Sequence, residues 1–232
     1  MKELDIAIRM KDYEKVANYK LTKKVPIILR LDGKSFHLLC KHRNKPFDEE
    51  ITTAMQLTLI DLCKNIQGVM CGYTQSDEVT LVLSDYARPE TSAYFDYRVQ
   101  KLCSVSAAIA ATSFNKYVRN LPKTALFDSR CFNIPKEEVA NCFYWRLLDA
   151  KRNSINLLAQ SLYSHKELKN IKTSSLLEKM KSEKEVDWNE LNNKYKFGSF
   201  VYKEEGKWYI TYDLEDGEKF RNYINQKVMK GY

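Results

Sequence analysis

The chain has 232 residues, with 38 Lys and Arg against 30 Asp and Glu for a formal net charge of +8. That length can bury one substantial core, and the basic balance suits a polyanionic partner, although solvated Lys runs give the same excess. No apolar run reaches the roughly 18 residues a membrane span needs, and Met1-Lys2-Glu3-Leu4-Asp5 does not read as a signal peptide, so no membrane partner and a cytoplasmic location are expected. The six cysteines (Cys40, Cys63, Cys71, Cys103, Cys131, Cys142) include no Cys-x-x-Cys pair. A zinc or disulfide framework is therefore disfavoured, and buried free thiols are expected.

Val25 to Leu31 reads as a first strand, ending in Asp32-Gly33. Asp48 suits the N-cap of a helix carrying Ile51, Met55, Leu59, Leu62 and Ile66 at helical spacing. Val69 to Thr74 and Val79 to Leu83 form a hairpin with Asp77-Glu78 at its tip. A second helix spans roughly Thr91 to Asn120, and its small residues from Ser104 to Ser113 allow close approach to a sheet. The last strand of this part is Ala125 to Asn133. The order βαββαβ is ferredoxin-like. In that topology strands one and three are antiparallel neighbours, so the end of the first lies beside the start of the third. Asp32 is thereby expected to meet Asp77 and Glu78.

The remainder is mostly helical. Pro135 suits a first helical turn, with Glu137 and Glu138 favouring the N-terminus. Val139, Phe143, Leu147, Ile155, Leu158 and Leu162 continue one apolar face. Shorter helical pieces are expected around Thr173 to Met180 and Trp188 to Tyr195, and a hairpin closes the chain at Phe197 to Lys203 and Trp208 to Tyr212. The fold class is α+β: a ferredoxin-like βαββαβ antiparallel sheet with an appended, mostly helical C-terminal part and a terminal hairpin. Residues 1–134 make a catalytic core and residues 135–232 an extension packed on it, together one compact unit. Net charge is +4 over residues 1–150 and +5 over residues 151–203, so the excess per residue is greatest in the helical part.

Carboxylates exposed at strand ends are what a protein needs to hold Mg²⁺ beside a triphosphate. Asp-Gly and Ser-Asp are also ordinary turn residues; it is the convergence of Asp32 with Asp77 that points to a metal site. Two metals held by Asp32 and Asp77, with Glu78 as ligand or as support to one, would activate a hydroxyl and neutralise a leaving pyrophosphate. The segment Gly33-Lys34-Ser35-Phe36-His37 breaks the strand into a helical turn whose backbone N–H groups can cradle phosphates. It is no Walker A loop, because the Gly-x-x-x-x-Gly-Lys spacing is absent. Lys34, Lys41 and Lys45 can supply charge to a phosphate. Phe36 reads as a core anchor or a base-stacking platform, and His37 as a structural or a catalytic histidine.

Arg30-Leu31-Asp32-Gly33-Lys34-Ser35-Phe36-His37, Lys45-Pro46-x-Asp48 and Gly72-Tyr73-Thr74-Gln75-Ser76-Asp77-Glu78 resemble the signatures of the tRNA-His guanylyltransferase family. The likeness continues more weakly through the Lys101 helix, the Phe127-Asp128-Ser129-Arg130 strand and the hairpin near Gly198. It implies a polymerase-palm-like core that adds nucleotides to a 5′ end, in the 3′-to-5′ direction. It further implies that Asp32, the Gly33 carbonyl and Asp77 bind two Mg²⁺, and that Asp32 to His37 with Ser76-Asp77 hold a nucleoside triphosphate. Lys45, Asp48, Arg98 and Lys101 would support 5′-end activation or triphosphate binding, with GTP or another NTP and ATP as substrates. tRNA is the implied partner and a homotetramer the implied assembly. Lys151, Arg152, Lys169 and Lys172 are the candidate RNA contacts on charge.

One departure bears on specificity. Eukaryotic members carry His-Ile-Asn-Asn-Leu-Tyr-Asn in the later helix, where this chain has Ser154-Ile155-Asn156-Leu157-Leu158-Ala159-Gln160. Serine in place of histidine fits the family's like-protein branch, which resembles a template-directed 5′-end repair polymerase, better than strict guanylate addition. Asn156 is retained, either as an RNA contact or as a satisfied polar residue. A palm-type cyclase or conventional polymerase would use the same carboxylates, and a non-catalytic tRNA-binding module would leave their convergence unexplained.

Overall fold

The computed structural model describes residues 3–86, 90–215 and 217–229. In chain order, helix α1 (Glu3–Lys15) precedes strand β1 (Ile27–Gly33), a single turn α2 (Phe36–Leu39) and helix α3 (Glu49–Asn65). The hairpin of β2 (Val69–Gln75) and β3 (Glu78–Leu83) leads to α4 (Val99–Tyr117) and β4 (Phe127–Asn133). Then come the long α5 (Val139–Leu162), α6 (His165–Leu168), α7 (Thr173–Lys184), α8 (Asn193–Phe197), β5 (Ser199–Glu204), β6 (Lys207–Thr211) and α9 (Gly217–Met229).

All six strands join one antiparallel sheet in the order β4-β1-β3-β2-β5-β6. Its first four strands are the ferredoxin-like arrangement read from the sequence, and the closing hairpin extends the same sheet beyond β2. Successive residues of β1 serve opposite faces. Ile27, Leu29 and Leu31 enter the core that includes buried residues of α3 and α4, whereas Ile28 joins Phe143, Leu147, Phe200 and Ile224 on the other side. Asp32 and Arg30 share the parity of Ile28, so their side chains stand on the face toward α5.

Local chemistry explains most element ends. Asp48 caps α3 by accepting from the Ile51 amide at 3.0 Å, as a side-chain oxygen at an N-cap should. Asn115 brackets Ala125, accepting from its N–H at 2.9 Å and donating to its carbonyl at 2.9 Å, which fixes the approach to β4. The second helix starts later than the Thr91 expected from sequence, at Val99. Phe95, Asp96 and Tyr97 take positive φ values, and Asp96 is held by Lys20 and Lys23. That backbone cannot continue an α-helix. The expected helical piece near Trp188 is split into a 3-10 turn, Trp188–Glu190, and α8. Helices α1 and α9 lay outside the sequence expectations. All six cysteines are free thiols, but only Cys63 and Cys71 are fully buried.

Candidate active site

β1 and β3 pair so that Asp32 faces Glu78, and Asp32 faces Asp128 across β4. Asp77 occupies the two-residue turn that joins β2 to β3, with Ser76 at φ 50°. The Gly33 amide donates to the Asp77 carbonyl at 3.1 Å, tying the end of β1 to that turn. Gly33 has no room for a side chain: a Cβ would lie 2.3 Å from the Phe36 ring and 2.9 Å from Asp77 Cβ.

These carboxylates resist ionisation. Burial raises Asp77 to about 6, and the neighbouring Asp32 charge adds to the shift. Asp32 is also raised, by burial and then by Asp128, against the opposing charges of Arg130, Arg30 and Arg146. Burial raises Glu78 too, opposed by Arg146. Glu78 is not a free carboxylate: Arg146 Nε donates to Oε1 at 2.6 Å, and a terminal nitrogen of the same guanidinium donates to Oε2 at 2.7 Å.

Two anionic oxygen donors crowded together, each holding its proton more tightly than usual, make a site that a hard divalent cation would relieve. Among the described residues no trio of His, Cys, Asp or Glu side chains is arranged around one metal. Asp32 and Asp77 are the carboxylates that could offer oxygen to such a cation, and an ion that keeps several waters, as Mg²⁺ does, needs no more.

A cleft of about 500 Å³ opens beside this turn. Gly33, Ser35, Phe36, His37, Lys45, Asp48, Ser76 and Asp77 line it, so eight sequence candidates are brought to one cavity. The Gly33 and Lys34 amides are spent inside the fold, on Asp77 and Leu126. A phosphate cradle in this loop is thus confined to the turn at Ser35–His37. Phe36 is a core residue, its ring 5.1 Å from Phe114 and 5.3 Å from Phe127 between centroids. Lys34 and His37 are exposed. Asp48 serves first as the α3 cap.

Other candidates lie elsewhere. Arg98 precedes α4 and pairs through its backbone with Lys20, beyond the far ends of β1 and β3, and Lys101 follows one turn on. Lys151 and Arg152 are exposed on α5, and Asp149 engages Arg152. Lys169 and Lys172 are exposed between α6 and α7, and Asn156 is half-buried on α5 without lining the cleft.

The motif that departs at Ser154 lines the cleft through Ser154, Leu157 and Gln160 of α5. The structure adds residues that the sequence reading did not single out: Asn153 of α5, and Lys194 and Tyr195 of α8. Tyr195 stacks on Phe47 at 4.8 Å, and Lys194 reaches Glu49 at 2.6 Å. Ser154 is buried and accepts from Trp188 Nε1 at 3.0 Å. Arg146 had a signal: it sits on the apolar stripe of α5 between Phe143 and Ala150, where an arginine requires a buried anionic partner.

Residues 7–135 match the profile of the family described as tRNAHis guanylyltransferase, Thg1. The chain belongs to the tRNA-His guanylyltransferase family and is a nucleotidyltransferase. A probable tRNA(His) guanylyltransferase of Dictyostelium discoideum is 26% identical over 216 residues, covering 82% of this chain and 82% of that protein. A bacterial Thg1-like protein solved in complex with ATP aligns with a TM-score of 0.92 at 36% identity, covering 96% of this chain and 99% of that one. Another structure, of a bacterial Thg1-like protein in complex with GTP, aligns with a TM-score of 0.85 at 33% identity over 97% of this chain and 99% of that one.

Proposed function

We propose that this protein adds nucleotides to the 5′ end of tRNA in the 3′-to-5′ direction, with template-directed 5′-end repair as its task. The observation that carries the proposal is that Asp32 converges with Asp77 while Gly33 and Asp77 line a cleft large enough for a nucleoside triphosphate, Asp32 standing just beyond its wall. The Thg1-like proteins that share most of this chain's length were solved with ATP and with GTP, which supports a triphosphate in this cleft.

Asp32, Asp77 and the Gly33 carbonyl would hold Mg²⁺, two ions in the family's pattern. When bound, Mg²⁺ supplies charge neutralisation at the phosphates and lowers the pKa of an attacking hydroxyl. The chain's own groups do the rest. The turn at Ser35–His37 presents backbone N–H groups to phosphate oxygens, and Ser76 borders the same rim. Gly33 keeps the loop flat against Asp77. Lys45, at the mouth, adds a mobile positive charge. Phe47 and Tyr195 form an apolar wall on which a purine or ribose can lie. Arg98 and Lys101, far from this cleft, are proposed to act on the family's pattern only with a further part of the assembly, for which a homotetramer in the cytoplasm is the working expectation. Lys151, Arg152, Lys169 and Lys172 offer tRNA phosphates a basic surface.

The deciding assay offers a labelled nucleoside triphosphate with 5′-monophosphorylated tRNA, intact or lacking its first nucleotide. Label at the tRNA 5′ end with release of pyrophosphate is the expected product. A cyclic nucleotide, a 3′-extended primer, or Mg²⁺-independent binding without pyrophosphate would overturn the proposal.

A further inference from the structure

Arg146 leaves the buried stripe of α5 with only 8% of its side chain exposed. Its fork closes on both oxygens of Glu78, and the terminal nitrogen that reaches Glu78 Oε2 also donates to Asp149 Oδ2 at 2.7 Å. The guanidinium lies 4.4 Å from the Trp145 ring centroid. It is therefore fixed by two anions and a ring. Buried ion pairs contribute little net stability against apolar replacements of the same size, so placement is the more telling consequence.

Glu78 faces Asp32 across the ladder and follows Asp77 in the chain. A free carboxylate there would be a third anionic oxygen ligand for any divalent cation drawn to Asp32 and Asp77. Extra carboxylates tighten cation binding, and they also reduce the positive charge the cation can offer to phosphate oxygens. The bidentate pair with Arg146 removes both Glu78 oxygens from that role.

We propose that Arg146 is a positioning residue that holds Glu78 out of the cation's ligand set, leaving Asp32 and Asp77 to bind it, while Asp128 opposite Asp32 is engaged by Arg130. The inference rests on the Mg²⁺ site proposed above and adds the residue that fixes its ligand count. Asp149 holds the second side of the guanidinium and so keeps the fork aimed at Glu78.

The test uses the full chain and Mn²⁺ alone as probe, titrated by calorimetry and followed by paramagnetic resonance without nucleotide. Glu78→Gln should bind Mn²⁺ as the parent does, whereas Asp77→Asn should not. Arg146→Met frees Glu78 and should tighten Mn²⁺ roughly 10-fold through the added carboxylate. Its kcat should fall roughly 10- to 100-fold, the size usual for a change just beyond a metal's own ligands, because the added carboxylate reduces the positive charge the cation offers the phosphates, with little change in KM for the triphosphate. The double variant Arg146→Met/Glu78→Gln should return Mn²⁺ affinity to the parent value. A weakening in Glu78→Gln comparable to that in Asp77→Asn would make Glu78 a ligand and overturn the clamp. So would Arg146→Met binding Mn²⁺ at parental strength. Should Arg146→Met fail to fold by circular dichroism, Glu78→Gln and Arg146→Lys decide, the latter expected to tighten Mn²⁺ partially because one ammonium cannot hold both oxygens. A parent that binds no Mn²⁺ would instead retire the metal site itself, and the clamp with it.

Discussion

Asp32 and Glu78 face each other across the β1–β3 ladder, yet they serve different partners. Asp32 stands beside Asp77 and Asp128; burial raises both Asp32 and Asp77, with Asp128 adding to the shift of Asp32 and Asp32 to that of Asp77, while Glu78 gives both oxygens to Arg146. One register pair thus separates a group suited to a cation from a group already neutralised.

Asp32→Asn and Asp77→Asn should each lower nucleotide transfer to the tRNA 5′ end by roughly 1,000-fold, since loss of a cation ligand forfeits several kcal/mol of charge stabilisation. Far-ultraviolet circular dichroism should be unchanged, because neither side chain belongs to an apolar core. Near-normal activity in Asp77→Asn would remove the carboxylate pair from the mechanism.

The same crowding predicts how metal-free stability depends on pH. Asp77 binds its proton more tightly when folded, about 6 against an ordinary 3.8, so its contribution favours the native state at low pH. That contribution is fully present below about pH 4 and is lost as pH rises through about 6, on the order of 3 kcal/mol at most. In chelator, Asp77→Asn should melt above the parent at pH 7.5, and the difference should vanish below about pH 4. Added Mg²⁺ should raise the parent's melting temperature and leave that of the variant unmoved.

Much of this was legible in the sequence because it is local or follows from topology. Alternation and turn residues place the first four strands, and the βαββαβ order alone brings Asp32 to Asp77 and Glu78. What escaped depends on distant contacts. Nothing near Tyr94 announces that Lys20 and Lys23 hold Asp96 and delay α4. The wall built by Asn153, Tyr195 and Lys194 needs α5 packed against α8 and α8 tied to Glu49 at the start of α3, relations no spacing encodes. Helix α9 did leave a trace, Phe220 and Ile224 one turn apart, both buried. Helix α1 carries Ile6, Met10 and Tyr13 at helical spacing, but all three are exposed, so no core in the described structure claims that stripe.

Gly33→Ala should cost more than Lys34→Ala. The new methyl would meet the Phe36 ring at 2.3 Å, and overpacking of this kind costs about 1–3 kcal/mol. Lys34 is exposed and supplies one flexible charge. Triphosphate KM and melting temperature, measured together, should both shift for Gly33→Ala and only KM, modestly, for Lys34→Ala.

Affinity for tRNA should fall steeply with salt. Removing Lys151, Lys169 or Lys172 should each reduce the slope of log affinity against log salt by roughly 1 if that residue neutralises a phosphate. Arg152→Ala should do less, because Asp149 already engages that guanidinium. A salt-insensitive affinity would make the +5 excess over residues 151–203 incidental.

The proposed repair specificity rests on Ser154. Its hydroxyl is enclosed, accepting from Trp188 Nε1 at 3.0 Å and donating toward the Lys151 carbonyl at 2.9 Å, while the residue borders the cleft. An imidazole in that space would have to displace Trp188, so the histidine of the eukaryotic motif has no counterpart at position 154. Selection should then come from pairing, because the groups proposed to hold the metal and the triphosphate are carboxylates and backbone amides, which read little of the base. With a tRNA lacking its first nucleotide, the residue added should be the complement of the opposing acceptor-stem base. Changing that base from C to A should switch incorporation from G to U, with tRNA identity of lesser effect. Sequencing the 5′ ends of products from a mixture of all four triphosphates gives the answer directly. Addition of G alone, only to tRNA-His and whatever the opposing base, would replace templated repair with strict guanylylation at the same carboxylates.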